Sequence, residues 1–300
     1  MSLGIIFAVL TTLSWSIGIF PFTEACKRLS PWVVNPLRLF LAWILMSLLI
    51  LAMYGHFNFI KPFNLGFWLF AASGFIGFTV GDYFSFSSFV KLGPRLGSLF
   101  TSLAPVSAGV CAWWLLNETL SLRSYAGILL IILAVVWIGQ SKSDARQAKA
   151  FGFHRDLNGM IMGTLGAFCQ GLGLVLSKWA FTEYSIPPLQ AVWIRLSVAF
   201  VGGFVLLAFK SNLIHLLKTV FKNQSRVVQP IVWGTLLGPV TGVTCSLYAI
   251  QYLPAAVAQA IFALLPLVIL PINRLVYKEP ITFHSLLAAL VAIIGVLLLI

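Results

Sequence analysis

GSLFTSLAPVSAGVCAWWLLNETLSLRSYAGILLIILAVVWIG, residues Gly97 to Gly139, holds two apolar segments joined by the polar turn Asn117-Glu118-Thr119-Leu120-Ser121. Thr119 or Ser121 can cap the helix that comes next, and Glu118 stands where polarity changes abruptly. An apolar run, a short acidic turn and a second apolar run describe a helical hairpin in a bilayer. The phrase returns as FALLPLVILPINRLVYKEPITFHSLLAALVAIIGV, Phe262 to Val296. Pro105 answers to Pro266, Glu118 to Glu279 and Leu120-Ser121 to Ile281-Thr282, at a constant offset of about 161 residues. The chain reads as one unit written twice.

Composition agrees with a membrane setting. The sequence is 60% hydrophobic and only 9% charged, with a mean hydropathy of +1.00, against about 25% charged residues in an ordinary soluble domain. Such a chain cannot cover itself with polar surface. The formal charge of +12 falls in the connections between apolar runs, where Lys and Arg act as topology signals and not as a nucleic-acid footprint. Four widely spaced cysteines, Cys26, Cys111, Cys169 and Cys245, show neither CxxC spacing nor a histidine neighbour, and read as small apolar residues. The opening run lacks a basic n-region and a small-residue cleavage site, so it reads as a first span and not as a signal peptide.

Ten spans are expected: Leu3 to Phe20, Val33 to Tyr54, Leu65 to Phe86, Leu96 to Leu116, Ser124 to Gly139, Leu157 to Phe181, Pro188 to Phe209, Val228 to Ile250, Ala255 to Tyr277 and Phe283 to Ile300. Residues 1–140 form the first five-helix repeat, 141–156 a basic connecting loop and 157–300 the second repeat. An odd number of spans per unit makes two tandem copies enter the membrane in opposite senses, so the expected fold is all-α, an inverted repeat around a central cavity. The polar stretch Lys210 to Arg226 reads either as an interfacial amphipathic helix or as a solvated basic loop. Gly4 pairs with Gly159, Pro94 with Pro254 and Arg38 with Arg195 at offsets of about 155 to 161 residues. Pro105, Pro239, Pro254, Pro266 and Pro271 predict kinks in the fourth, eighth and ninth spans. Glycines at three- and four-residue spacing let helices approach closely.

These residues carry a resemblance. Leu103-Ala104-Pro105 through Asn117-Glu118-Thr119-Leu120-Ser121 and Gly127, with Leu265-Pro266 through Lys278-Glu279-Pro280-Ile281-Thr282, look like the motifs of EamA-type transporters of the drug/metabolite transporter superfamily. Arg38 and Arg195, early in the second span of each half, also match. The resemblance covers nearly the whole chain and implies ten helices around a cavity, alternating access, a small organic solute as substrate and termini in the cytoplasm. The charge bias of the connections points the other way, placing the termini outside. A multi-pass protein of the cell membrane, of the bacterial inner-membrane kind, is expected.

Within the spans, polar residues mark the candidate site, because each is costly in hydrocarbon. Asp82 is the acidic residue deep in an apolar run: either a contact for a substrate amine or a coupled proton, or the structural partner of Arg38, Arg195 or Lys178. Arg38 and Arg195 lie close enough to span ends to snorkel; facing a cavity, they would suit a carboxylate or phosphate. Trp15, Tyr83 and Gln170 stand in mid-span, and Tyr248 and Gln259 join them as candidates for a wall of aromatics and amides. Pro105, Glu118, Pro266 and Glu279 read as structural. The histidines, His56, His154, His215 and His284, fall in connections or at span edges, and no hydrolase, metalloprotease or phosphate-loop motif occurs. A non-enzymatic carrier without cofactor or metal is therefore expected, its partners a small-molecule substrate, the lipid bilayer and protons or a counter-solute. A channel or lipid scramblase is the rival reading.

Overall fold

The computed structural model describes residues 2–57, 64–117, 121–140, 156–210, 224–278 and 282–299, and every regular element among them is helical. Glu118, Glu279 and most of the stretch 210–226 lie outside the described residues. The first half runs through α1 (Ser2–Leu29), α2 (Pro31–Tyr54), α3 (Leu65–Gly74), a π-helical segment π1 (Phe75–Gly81), α4 (Asp82–Thr101), α5 (Ala104–Leu116) and α6 (Leu122–Gln140). The second runs through α7 (Leu157–Glu183), α8 (Pro188–Lys210), α9 (Gln224–Thr235), π2 (Leu236–Gly242), α10 (Val243–Tyr252), α11 (Ala255–Phe262), α12 (Leu265–Val276) and α13 (Phe283–Leu299).

Local chemistry sets the boundaries. Pro31 opens α2, where a missing N–H costs nothing, and Gly55 closes it in the left-handed region with its N–H on the Leu51 carbonyl. Asn64 caps α3 by accepting from the Phe67 N–H at 2.8 Å. Gly93 takes φ 82° and ψ 161°, open only to glycine, and the chain bends there before Pro94. In the second half the corresponding break falls at Leu253, extended at φ −124°, before Pro254. Pro105 and Pro266, both buried, begin α5 and α12 after matching two-residue interruptions at 102–103 and 263–264. Ser102 donates to the Ala263 carbonyl at 3.3 Å, joining two positions 161 residues apart at the centre of the molecule.

Seven helices are, by length and composition, long and apolar enough to cross a membrane: Ser2–Leu29, Pro31–Tyr54, Leu65–Thr101, Leu157–Glu183, Pro188–Phe209, Val227–Tyr252 and Ala255–Val276. Three further apolar helices, Ala104–Leu116, Tyr125–Ala134 and Leu286–Gly295, are shorter. The third helix breaks at Gly93, and the expected fourth span, which starts beyond this kink, is itself divided by the interruption at 102–103 before Pro105. The outer face of α1 presents Leu3, Ile6, Leu10, Leu13 and Ile17, all exposed, a stripe that lipid covers and water would not.

The first helix of each half packs on the other half: α1 against α9, π2 and α10, and α7 against α3, π1 and α4. Small residues make this possible. A Cβ on Gly4 would meet Tyr252 and Leu253 at 2.8 Å, and one on Gly166 would meet the Ser85 hydroxyl at 2.5 Å. Gly173 passes the backbone of Gly77 and Gly18 that of Gly238, a matched pair of close crossings.

At one end, Asp156 caps α7 on the Asn158 N–H at 3.0 Å and pairs with Lys91 of α4 at 2.6 Å. The hydrogen bond from Lys91, foremost, holds this carboxyl below the ordinary carboxylate range. A depressed folded value means that the contribution is present above about pH 3.9, the unfolded value, and is lost as pH falls through the folded one. Asp156→Asn is expected to flatten the acid side of the melting-midpoint profile of the detergent-solubilised protein below about pH 4.

Candidate functional site

A cavity of about 850 Å³ of atom-free space, part of it continuous with the outside, lies between α1, α2, π1, α4, α7, π2 and α11. Its walls are aromatic, with Trp15, Phe22, Phe78, Phe86, Phe89 and Phe262, and its polar groups are Arg38, Asp82, Ser85, Thr101, Gln170 and Gln259. An apolar enclosure with a few convergent polar groups is the general form of a small-molecule site.

The polar centre is built around π1. A π segment widens the helix by one residue, and the wide turn here delivers Asp82, whose N–H reaches back to the Gly77 carbonyl. The Asp82 carboxylate accepts from Arg38 Nη2 on one oxygen and from Gln170 Nε2, at 2.7 Å, on the other. Arg38 Nε donates to Asn35 Oδ1 at 3.0 Å, and Asn35 Nδ2 donates to the carbonyls of Phe78 and Thr79 at 2.9 and 3.0 Å, groups that the π turn leaves available. Phe22 and Phe86 flank the guanidinium, their ring centroids 4.9 and 4.6 Å from Cζ. Each such contact is worth about 2 kcal/mol when desolvated. Arg38 is only 4% exposed, so it does not snorkel; Asp82 and two rings hold it at the cavity wall.

Arg195 is buried as well, 3% exposed, with Cζ 4.2 Å from the ring centroid of Phe78. It too stays inside, and at Gly74 the α8 backbone closes directly onto α3. The two arginines are placed alike. A Cβ built on Gly77 would lie 3.5 Å from Arg195 Nη2, and one on Gly238 would lie 3.8 Å from Arg38 Nη1. Each guanidinium thus faces the π segment of the opposite half. One carboxylate, Asp82, serves this pair; the position matching it in the second half is Val243, the first residue after π2. The Arg195 Nε has no hydrogen-bond partner among the described residues.

Other expected site residues divide. Trp15 enters the cavity, edge-on to Phe262 at 5.3 Å, in space that Gly242 leaves open. Gln170 and Gln259 line it, the second nearly fully buried. Tyr83 turns aside to Trp32, centroids 3.9 Å apart, and Tyr248 stacks on Phe7 at 5.0 Å, neither at the cavity wall. Lys178 sends its ammonium to the Ile250 and Leu253 carbonyls, at 2.5 and 3.0 Å, where the break after α10 leaves acceptors unfilled. Pro105 and Pro266 act through the backbone alone. Asn35 went unrecognised in the sequence, although an Asn three residues before a buried Arg shares its helix face, a spacing that could have marked it.

An apolar helical exterior that encloses an aromatic cavity with a buried ion pair is an architecture compatible with a membrane carrier. Residues 2–140 and 157–300 each match the model of the EamA-like transporter family, and the chain belongs to that family. Comparison with curated proteins gives no match. Among solved structures, a crystal structure at 16% identity superposes with a TM-score of 0.68 over 99% of this chain and 96% of its own, a likeness of fold.

Proposed function

We propose that this protein is a secondary carrier that moves a small organic solute, amino-acid-like or otherwise amphipathic, outward across the cell membrane by alternating access. Ten crossings arranged as two inverted five-helix halves, residues 1–140 and 157–300 joined by the connector 141–156, would enclose the cavity, and a gradient of protons or a counter-solute would drive it. The repetition supports this reading: π1 and π2, the breaks before Pro94 and Pro254, and the interruptions before Pro105 and Pro266 recur about 161 residues apart. Paired halves of opposite sense are the device by which a carrier forms two related states around one site. The observation that carries the proposal is the Arg38–Asp82–Gln170 cluster on the cavity wall, since ionisable groups are kept in hydrocarbon chiefly for function.

Purified protein in proteoliposomes, offered radiolabelled amino acids, carboxylic acids, sugars and nucleosides with and without an imposed proton gradient, tests it. Saturable uptake of one class, accelerated by the gradient or by the same solute trapped inside, is the expected result. Conductance that does not saturate would favour a channel, and lipid movement without solute flux a scramblase.

A further inference from the structure

Three charges surround π1, and they do not cancel. Arg38 and Arg195 are both buried, Asp82 is paired with Arg38, and the described residues leave the Arg195 Nε unpartnered. Arg95, the other deeply buried cation, lies beyond the Gly93–Pro94 break on a different stretch of α4. Arg195 has the face of Phe78 but forms no salt bridge among the described residues, and a buried cation so placed is costly unless an anion can reach it. The geometry supplies a state in which one does. Asp82 directly succeeds a π segment, and moving the extra residue of such a segment along the helix rotates the adjoining turn by about 100°, the angle of one α-helical residue. Arg195 packs against this segment at Gly77 and Phe78. Turning Asp82 toward Arg195 would vacate Arg38, whose guanidinium already lines the cavity.

Resting on the carrier reading above, we propose that the transported solute bears one anionic group, which replaces Asp82 on Arg38 while Asp82 pairs with Arg195. The loaded cavity is then charge-balanced: two guanidinium groups face two anions, one from the protein and one from the solute. Arg38 is the binding residue, and Arg195 is a positioning residue that acts through Asp82. The aromatic walls suit an apolar body attached to that anionic group.

The probes are phenylacetate and indole-3-acetate, with their amides and the corresponding arylethylamines, which keep the ring and change the charge. Binding to the full-length protein in detergent is read by titration of the melting midpoint, and flux by competition in proteoliposomes. At least one carboxylate is expected to bind at least tenfold more tightly than its amide or amine. Arg195→Gln should weaken that binding at least tenfold while leaving the unliganded melting midpoint equal or higher, because it deletes an uncompensated charge; Arg195→Lys should retain part of the preference. A merely structural arginine would lower the unliganded midpoint and leave the charge preference alone. Failure of both carboxylates to bind, equal binding of an amide or amine, or an Arg195→Gln variant with native carboxylate binding overturns the proposal. Saturable flux of a neutral or cationic solute would overturn it and leave the carrier reading standing, whereas unsaturable conductance would remove the carrier reading and this proposal with it.

Discussion

Asp82→Asn is expected to lower the initial rate of solute uptake about 100-fold, equivalent to about 2.7 kcal/mol. The substitution keeps the shape of the side chain and an acceptor for Arg38, so packing around π1 survives. It removes the negative charge that compensates Arg38 between Phe22 and Phe86. Removing one partner of a buried pair costs about 3–5 kcal/mol, because the other charge is left bare. Asn also brings an amide N–H₂ where Gln170 Nε2 now donates, setting donor against donor unless the Asn turns its donor to Arg38 instead. Proteoliposome uptake alongside a melting curve separates the two effects. Native transport by a well-folded Asp82→Asn protein would remove the ion pair from the mechanism.

Gly74→Ala is expected to cost about 3 kcal/mol of stability, the upper end for overpacking. An added methyl would lie 2.2 Å from the Arg195 carbonyl oxygen and 2.7 Å from its Cα, backbone atoms that no rotamer can move aside. Only separation of α3 from α8 relieves the clash, and that displaces Arg195 and the start of π1 together. Gly18→Ala is the control, since its new methyl would meet Leu237 at 3.4 Å, an ordinary contact. Melting midpoints of the two variants in one detergent give the comparison; equal midpoints would show that α3 and α8 can part freely.

Much of this was readable from the chain. Pro105 and Pro266, at one offset with Glu118 and Glu279, announced the doubling, and the low charge content announced the bilayer. Asp82 and Arg38 stood out because a charge inside an apolar run has few explanations. Other features depended on tertiary structure. FIGFTVG and LLGPVTG have no side-chain pattern that separates a π turn from an α turn, and the crossings of Gly77 on Gly173 and of Gly238 on Gly18 that accompany the widening are tertiary. Pro239, which lacks an N–H, gave the only local warning. Arginines placed five to seven residues into a span have stems long enough to reach either the headgroups or the interior, so position alone could not choose between these fates for Arg38 and Arg195. Lys178 was ambiguous in the same way, and the carbonyls that claim it exist only because the chain breaks before Pro254.

The reciprocal docking of α1 and α7 also has a consequence for biogenesis. While the ribosome is still extending the chain, α1 lacks most of its seat, because π2 and α10 are translated more than 200 residues after it. The nascent amino-terminal portion is then expected to keep only the contacts of α1 with α2 and α4 until the carboxy-terminal portion arrives. Expressed alone, neither portion should mature, whereas the two supplied as separate polypeptides should rescue one another.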